Sequence, residues 1–248
     1  MKYGNKTNYW IVDGDHFDIS RGSAKTTTIN IEENRTLQFD PERSAFIIID
    51  MQNYFCSPLL DRSDGALKLV PAIYSAVKSS RQLGMPIIWV NWGNRPDTAN
   101  LPPSLLYSWK RNGRPGLGEP LPNDLGLVLV KDSWSAAIVK ELEESYEESD
   151  YWVDKYRISG FPGTTLDQIL RSNGINTLFF AGVNTDQCVM STLQDAAFLG
   201  YDNILISDCT ATTSPAHVLE GALYNMRSSA FTAVSDSLKE AALKHVSK

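Results

Sequence analysis

The run Ser44-Ala45-Phe46-Ile47-Ile48-Ile49-Asp50 has no polar face. A strand that is apolar on successive residues needs cover on both sides, the condition of a parallel sheet with helices on both faces. Pro86-Ile87-Ile88-Trp89-Val90-Asn91 and Leu178-Phe179-Phe180-Ala181 repeat the pattern. Tyr151 to Lys155, Asn203 to Asp208 and Phe231 to Val234 read as further strands. Between the strands lie helical stretches. Ala66 to Leu83 is interrupted near its start by Pro71 and stopped by Gly84. Others run from Leu166 to Asn173, from a cap at Thr185 or Asp186 through Cys188 in the first turn to Leu199-Gly200, from about Pro215 to Arg227 and from Ser235 to Val246, and Ser135 to Glu148 is expected to be helical with an acidic solvated face. The alternation predicts an α/β fold, a three-layer α-β-α sandwich with a mostly parallel central sheet.

Residues 1–43 differ. Tyr9-Trp10-Ile11-Val12 and Thr26 to Ile31 suit short strands around an Asp13-Gly14-Asp15 turn, but the rest is polar. The expected organisation is an N-terminal arm or hairpin extension over 1–43 and an α/β domain over 44–248. The stretch 92–126 is rich in Gly, Pro and Asn and reads as a long loop, the kind that often serves function or acts as a lid.

A net charge of -6 without a basic block argues against nucleic acid and anionic membranes as partners. No run has transmembrane length, and no apolar stretch follows the N-terminus as a signal peptide requires. Three cysteines, few and odd in number, favour a reducing compartment over a disulfide framework, hence a cytoplasmic location.

In a parallel sheet, ligands bind beyond the carboxyl ends of the strands. Asp50 ends one predicted strand, Lys155 ends another, and Cys188 opens the helix after a third. All three belong on one edge of the sheet. A cysteine in the first turn of a helix meets free N–H groups and the positive end of the dipole, which favour the thiolate. A cysteine nucleophile also needs a base. His16, His217 and His245 are poorly placed for it, so Asp50 is the candidate base, with Lys155 holding Asp50 and lowering the thiol pKa. Taken singly, each residue has an ordinary structural explanation: a core cysteine, a loop-entry aspartate, a surface lysine.

Three segments together resemble the isochorismatase-like cysteine hydrolases, which include nicotinamidases, carbamoylsarcosine amidases, biuret hydrolases and ureidoacrylate amidohydrolases. Phe46-Ile47-Ile48-Ile49-Asp50-Met51-Gln52-Asn53-Tyr54-Phe55 is similar to the family's aspartate motif. Asp154-Lys155-Tyr156-Arg157-Ile158-Ser159-Gly160-Phe161 is similar to its lysine motif. Ala181-Gly182-Val183-Asn184-Thr185-Asp186-Gln187-Cys188-Val189 is similar to its nucleophile motif. The resemblance runs from about Ser44 to Val234. It implies an Asp50-Lys155-Cys188 triad and a cis bond between Val183 and Asn184. The N–H groups of Asn184 and Cys188 would then form an oxyanion hole. The implied reaction is hydrolysis of a small-molecule amide or ureide through a Cys188 thioester.

Nicotinamidases carry an Asp-x-His metal motif after the second strand. This chain reads Asn91-Trp92-Gly93-Asn94-Arg95 there, so no metal and no other cofactor is expected. The segments around Ser159 to Ile175 and the Asn91-Trp92 pair look most like the ureidoacrylate and biuret branch. Asn91, Trp92 and Tyr54 are candidate substrate-binding residues, although a packing role suits Trp92 equally; Arg95 or Arg157 would suit a substrate carboxylate. Family members form dimers or tetramers, so a homo-oligomer is expected. Two alternatives stay open: an isochorismatase-type enol-ether hydrolase with Asp50 as the acid, and a non-catalytic binding protein of the same fold.

Overall fold

In the computed structural model, residues 1–60, 63–110 and 113–246 are described. Five short strands come first: β1 (Lys2–Gly4), β2 (Tyr9–Asp13), β3 (His16–Asp18), β4 (Thr27–Ile31) and β5 (Arg35–Phe39). They form their own sheet in the order β1-β2-β3-β5-β4. Strand β6 (Ser44–Ile49) follows, then the short helices α1 (Asn53–Cys56) and α2 (Ser63–Ala66), and the longer α3 (Val70–Gln82). The chain continues through β7 (Ile87–Trp92), α4 (Pro103–Lys110), β8 (Tyr151–Lys155), α5 (Leu166–Ser172) and β9 (Thr177–Val183). It ends with α6 (Met190–Phe198), β10 (Asp202–Ala211), α7 (Ala216–Met226), β11 (Phe231–Ala233) and α8 (Ser235–Val246).

The second sheet has the order β11-β10-β9-β6-β7-β8, and its described pairings are parallel. Alternation along β6 shows why both faces are covered. Phe46 and Ile48 join the core that contains Ile73 and Val77 of α3 and Leu238 and Ala242 of α8. Ala45, Ile47 and Ile49 join the opposite core, with Leu170 of α5, Leu193 of α6 and Met226 of α7. The expected three-layer α/β sandwich is therefore present, with β6 near its centre.

Residues 1–43 contain three strands beyond the two expected. Ile29, Ile31, Leu37 and Phe39 are buried in the same core as α8. The Arg21–Asp202 ion pair, 2.7 Å long and nearly dry, and the bond from the Glu32 N–H to the Thr232 carbonyl fasten this sheet to β10 and β11.

Ser135 to Glu148 is not an α-helix. It forms two 3-10 turns, Trp134–Ala136 and Lys140–Ser145. The residues between them lie extended and give their backbone bonds to the loop after β6: Val139 N–H to the Met51 carbonyl, and Asn53 N–H to that of Ala137. Long-range pairing with β-branched Ile138 and Val139 thus overrides local helix preference. The expected helix from Ala66 is likewise split. A 3-10 turn at Leu67–Leu69 precedes α3, and Pro71 sits in the first turn of α3, where its missing N–H costs nothing. The stretch 92–126 is not all loop, since it holds α4; residues 111 and 112 lie outside the described residues.

Candidate active site

Strands β6, β8 and β9 deliver the three motif residues to one edge. Asp50 follows β6 directly, with φ at 54°, and its N–H donates to the Val90 carbonyl. Lys155 is the last residue of β8. The Val183–Asn184 bond after β9 is cis. Gly182 is required beside it: its φ is 108°, and an added Cβ would lie 2.0 Å from the Ile49 carbonyl oxygen. Cys188 follows in a π-helical turn, Thr185–Val189, ahead of α6. The expected first turn of an α-helix is therefore a wider turn.

Lys155 ties the site together. Its Nζ lies 3.0 Å from Asp50 Oδ2 and 3.4 Å from Cys188 Sγ. It also donates to the Arg157 and Ile158 carbonyls at 3.2 and 3.3 Å, and sits 3.9 Å from the centre of the Trp92 ring. The Lys155 and Asp50 side chains are 0% exposed and Cys188 is 4% exposed. Two opposite charges held in a dry interior need each other: either one alone would face the full desolvation cost.

Burial decides the titration of the pair that faces Lys155. It raises the Asp50 carboxyl above its ordinary value, against the lowering charge of Lys155. It pushes the Cys188 thiol up to about 12, with Lys155 opposing and Asp50 adding to the rise. Removal from water opposes the lysine at Cys188 and favours the neutral thiol over the expected thiolate.

Cys56 is pushed up to about 12 by burial, and Cys209 is raised for the same reason. Above the free-thiol value of about 8.5 the unfolded chain sheds protons that the folded chain keeps, so stability must fall as pH rises. With three such thiols the expected slope is about 4 kcal/mol per pH unit between roughly pH 9 and 10. Urea unfolding across that window checks it, and Cys56→Ala should make the slope shallower by about 1.4 kcal/mol per unit.

Two further residues hold the frame. The Gln52 side chain donates to the Trp92 and Ala136 carbonyls at 2.8 and 2.7 Å and accepts the Trp92 N–H at 3.0 Å. It fixes the strand end that carries the ring beneath Lys155. Thr192 joins the lysine loop to the cysteine turn: the Gly160 N–H donates to its hydroxyl, and the hydroxyl donates to the Cys188 carbonyl. The second bond is the back-bond of a helical threonine to the residue four before it, a signal present in the spacing. Thr192→Val should destabilise the protein by about 1–3 kcal/mol by leaving the Gly160 N–H buried and unpaired, as urea unfolding would measure.

The other expected residues are distributed as follows. Trp92 is buried and in contact with Lys155; its ring also meets Trp109. Tyr54 is buried in the same apolar cluster, against Phe55 and Trp109. Asn91 is buried with neither side-chain amide atom paired. As the neighbour of Trp92 in β7 it belongs to the opposite face of the sheet. The Asn184 carbonyl accepts the N–H groups of Gln187 and Val189. Arg95 is paired with Asp97 at 2.6 Å, whereas Arg157 has no carboxylate partner among the described residues. His16 bonds Thr36, and His217 is exposed on α7. Among the described residues no three His, Cys, Asp or Glu side chains cluster as a metal site would require.

A family model described as the isochorismatase domain matches residues 44–238. A ureidoacrylate amidohydrolase of Klebsiella pneumoniae is 37% identical over 199 residues, which cover 77% of this chain and 83% of that protein. The crystal structure of an N-carbamoylsarcosine amidase from Thermoplasma acidophilum is 27% identical with a TM-score of 0.61, covering 78% of this chain and 97% of that one. A cysteine hydrolase from Pseudomonas syringae shares the fold at 21% identity, with a TM-score of 0.71 and coverage of 84% and 95%.

Proposed function

Since the chain belongs to the isochorismatase family of hydrolases, we propose that it cleaves a C–N bond of a small amide or ureide through a thioester on Cys188. The observation that carries this is one ammonium group touching both a buried carboxylate and a buried thiol. That arrangement suits proton transfer in both directions. The name of the Klebsiella relative, a ureidoacrylate amidohydrolase, favours a ureide.

Cys188 Sγ attacks the carbonyl carbon as its proton passes to Asp50. The carbonyl π electrons move to oxygen, and the N–H groups of Asn184 and Cys188 are assigned to hold that charge. The C–N bond then breaks, and the nitrogen leaves as amine or ammonia with the proton from Asp50. Water gives a proton to Asp50 and attacks the thioester. The sulfur departs and recovers its proton from Asp50. Lys155 keeps its contacts with Asp50 and Cys188 throughout and holds Asp50 in place to cycle. The raised thiol pKa gives the base its role, because it favours a protonated sulfur before the attack.

Tyr54 and Trp92, packed in one cluster beside Lys155, are assigned to the substrate side, and Asn91, on the opposite face of β7, is not. Residues 1–43 are taken as an extension of the hydrolase domain, 44–248. A dimer or tetramer in the cytoplasm completes the proposal, supported by the family resemblance and the three unpaired thiols. The test is release of ammonia or amine from ureidoacrylate, biuret, carbamoylsarcosine and nicotinamide. Turnover of a ureide is expected. Hydrolysis of a vinyl ether with no turnover of any C–N substrate would overturn the proposal.

A further inference from the structure

We infer that Arg157 is a specificity-determining residue that binds a carboxylate on the substrate, so that the preferred substrates are ureido acids and not neutral ureides. This rests on the ureide proposal above and narrows it.

Arg157 is placed by the triad itself. Its carbonyl accepts from Lys155 Nζ at 3.2 Å, so its side chain starts beside the reacting groups. Its guanidinium uses only Nη1, which donates to the Tyr156 carbonyl at 2.7 Å and the Asn100 carbonyl at 3.2 Å. Both acceptors are neutral. Nε and Nη2 have no acceptor among the described residues, and those two atoms form one edge of the fork that matches a carboxylate.

The other described arginines lack this combination. Arg21, Arg35, Arg43, Arg81, Arg95 and Arg171 each face a carboxylate. Arg114 and Arg227 lack one but are exposed to water. Arg157 is half-buried and uncompensated. Carboxylates on neighbouring segments are engaged elsewhere: Asp50 with Lys155, Asp154 with Lys131, Asp97 with Arg95, and Asp186 with the Ser214 hydroxyl. Asp50 and Lys155 pair with each other, and Arg157 has no carboxylate within ion-pair distance among the described residues. Tyr156 and Ile158, on either side of Arg157, pack into the cluster of Tyr54, Trp92 and Leu101. The guanidinium is thus carried on a packed segment and not on a free loop.

The test compares 3-ureidopropionate with 3-ureidopropanol, which replaces the carboxylate by a neutral hydroxymethyl group. Wild type, Arg157→Gln and Arg157→Lys are assayed on both. Wild type should prefer the acid by about 10–100-fold in kcat/KM, the range of one charge-assisted contact. Arg157→Gln should raise KM for the acid by about the same factor and leave kcat, and both constants for the alcohol, within about twofold. Arg157→Lys should recover part of the loss. Equal treatment of the two compounds by wild type, or an equal loss on both in Arg157→Gln, would overturn the inference. If wild type hydrolyses neither, the ureide proposal fails, and binding of the two compounds is read instead by titration calorimetry. Binding of the acid by wild type but not by Arg157→Gln would sustain the carboxylate site; equal or no binding would remove it.

Discussion

Cys188→Ala should lower kcat for C–N cleavage by roughly 10,000-fold or more, the scale of losing a covalent nucleophile. No other thiol substitutes, because Cys56 and Cys209 are buried away from Lys155 and lack its contact. Little stability should be lost, since alanine keeps the turn and removes one small atom from a nearly buried position. The result separates two chemistries on this fold. An ether hydrolase that uses Asp50 as its acid would keep most of its rate without the sulfur. Steady-state release of amine or ammonia, with thermal melting as the fold control, decides between them.

Lys155→Met should both inactivate and destabilise the protein. Asp50 would stay in the interior with its one ion-pair partner gone, and breaking a buried pair by removing one member costs about 3–5 kcal/mol. The pH dependence identifies the cause. Asp50 already has a raised pKa, and loss of Lys155 removes the charge that opposes the rise. A carboxyl whose folded pKa exceeds its unfolded one binds its proton more tightly when folded, so its burden on stability shrinks as pH falls toward the unfolded value. The gap between variant and wild type should be smaller at pH 5 than at pH 8 in urea unfolding. A gap independent of pH would mean that the lysine stem, not its charge, matters. Lys155→Met combined with Asp50→Asn should regain stability but not activity.

The central strands were legible because residues such as Phe46 to Ile49 and Leu178 to Ala181 leave no solvent face to choose. The small strands of the arm were less so. Lys2–Gly4 and His16–Asp18 are short and polar, and their pairing depends on β2 and β5 being in place. Ser135 to Glu148 misled for a related reason: its acidic residues suit a helix, while Ala137 and Val139 are claimed by the loop after β6. At the site, the order of strand ends was enough to bring Asp50, Lys155 and Cys188 to one edge. The dryness of that edge was not readable, and it opposes the expected thiolate. Gln52 holds backbone groups distant in sequence, which no local pattern announces, and of the two Thr192 bonds only the one to Cys188 is local.

The account turns on a covalent bond to Cys188. Wild-type protein mixed with a turned-over ureide, quenched within the first turnover and digested, is read by mass spectrometry. The predicted result is the acyl or carbamoyl mass on the peptide that contains Cys188, formed together with a burst of released amine or ammonia. Turnover at full rate with that peptide unmodified at every quench time would contradict it.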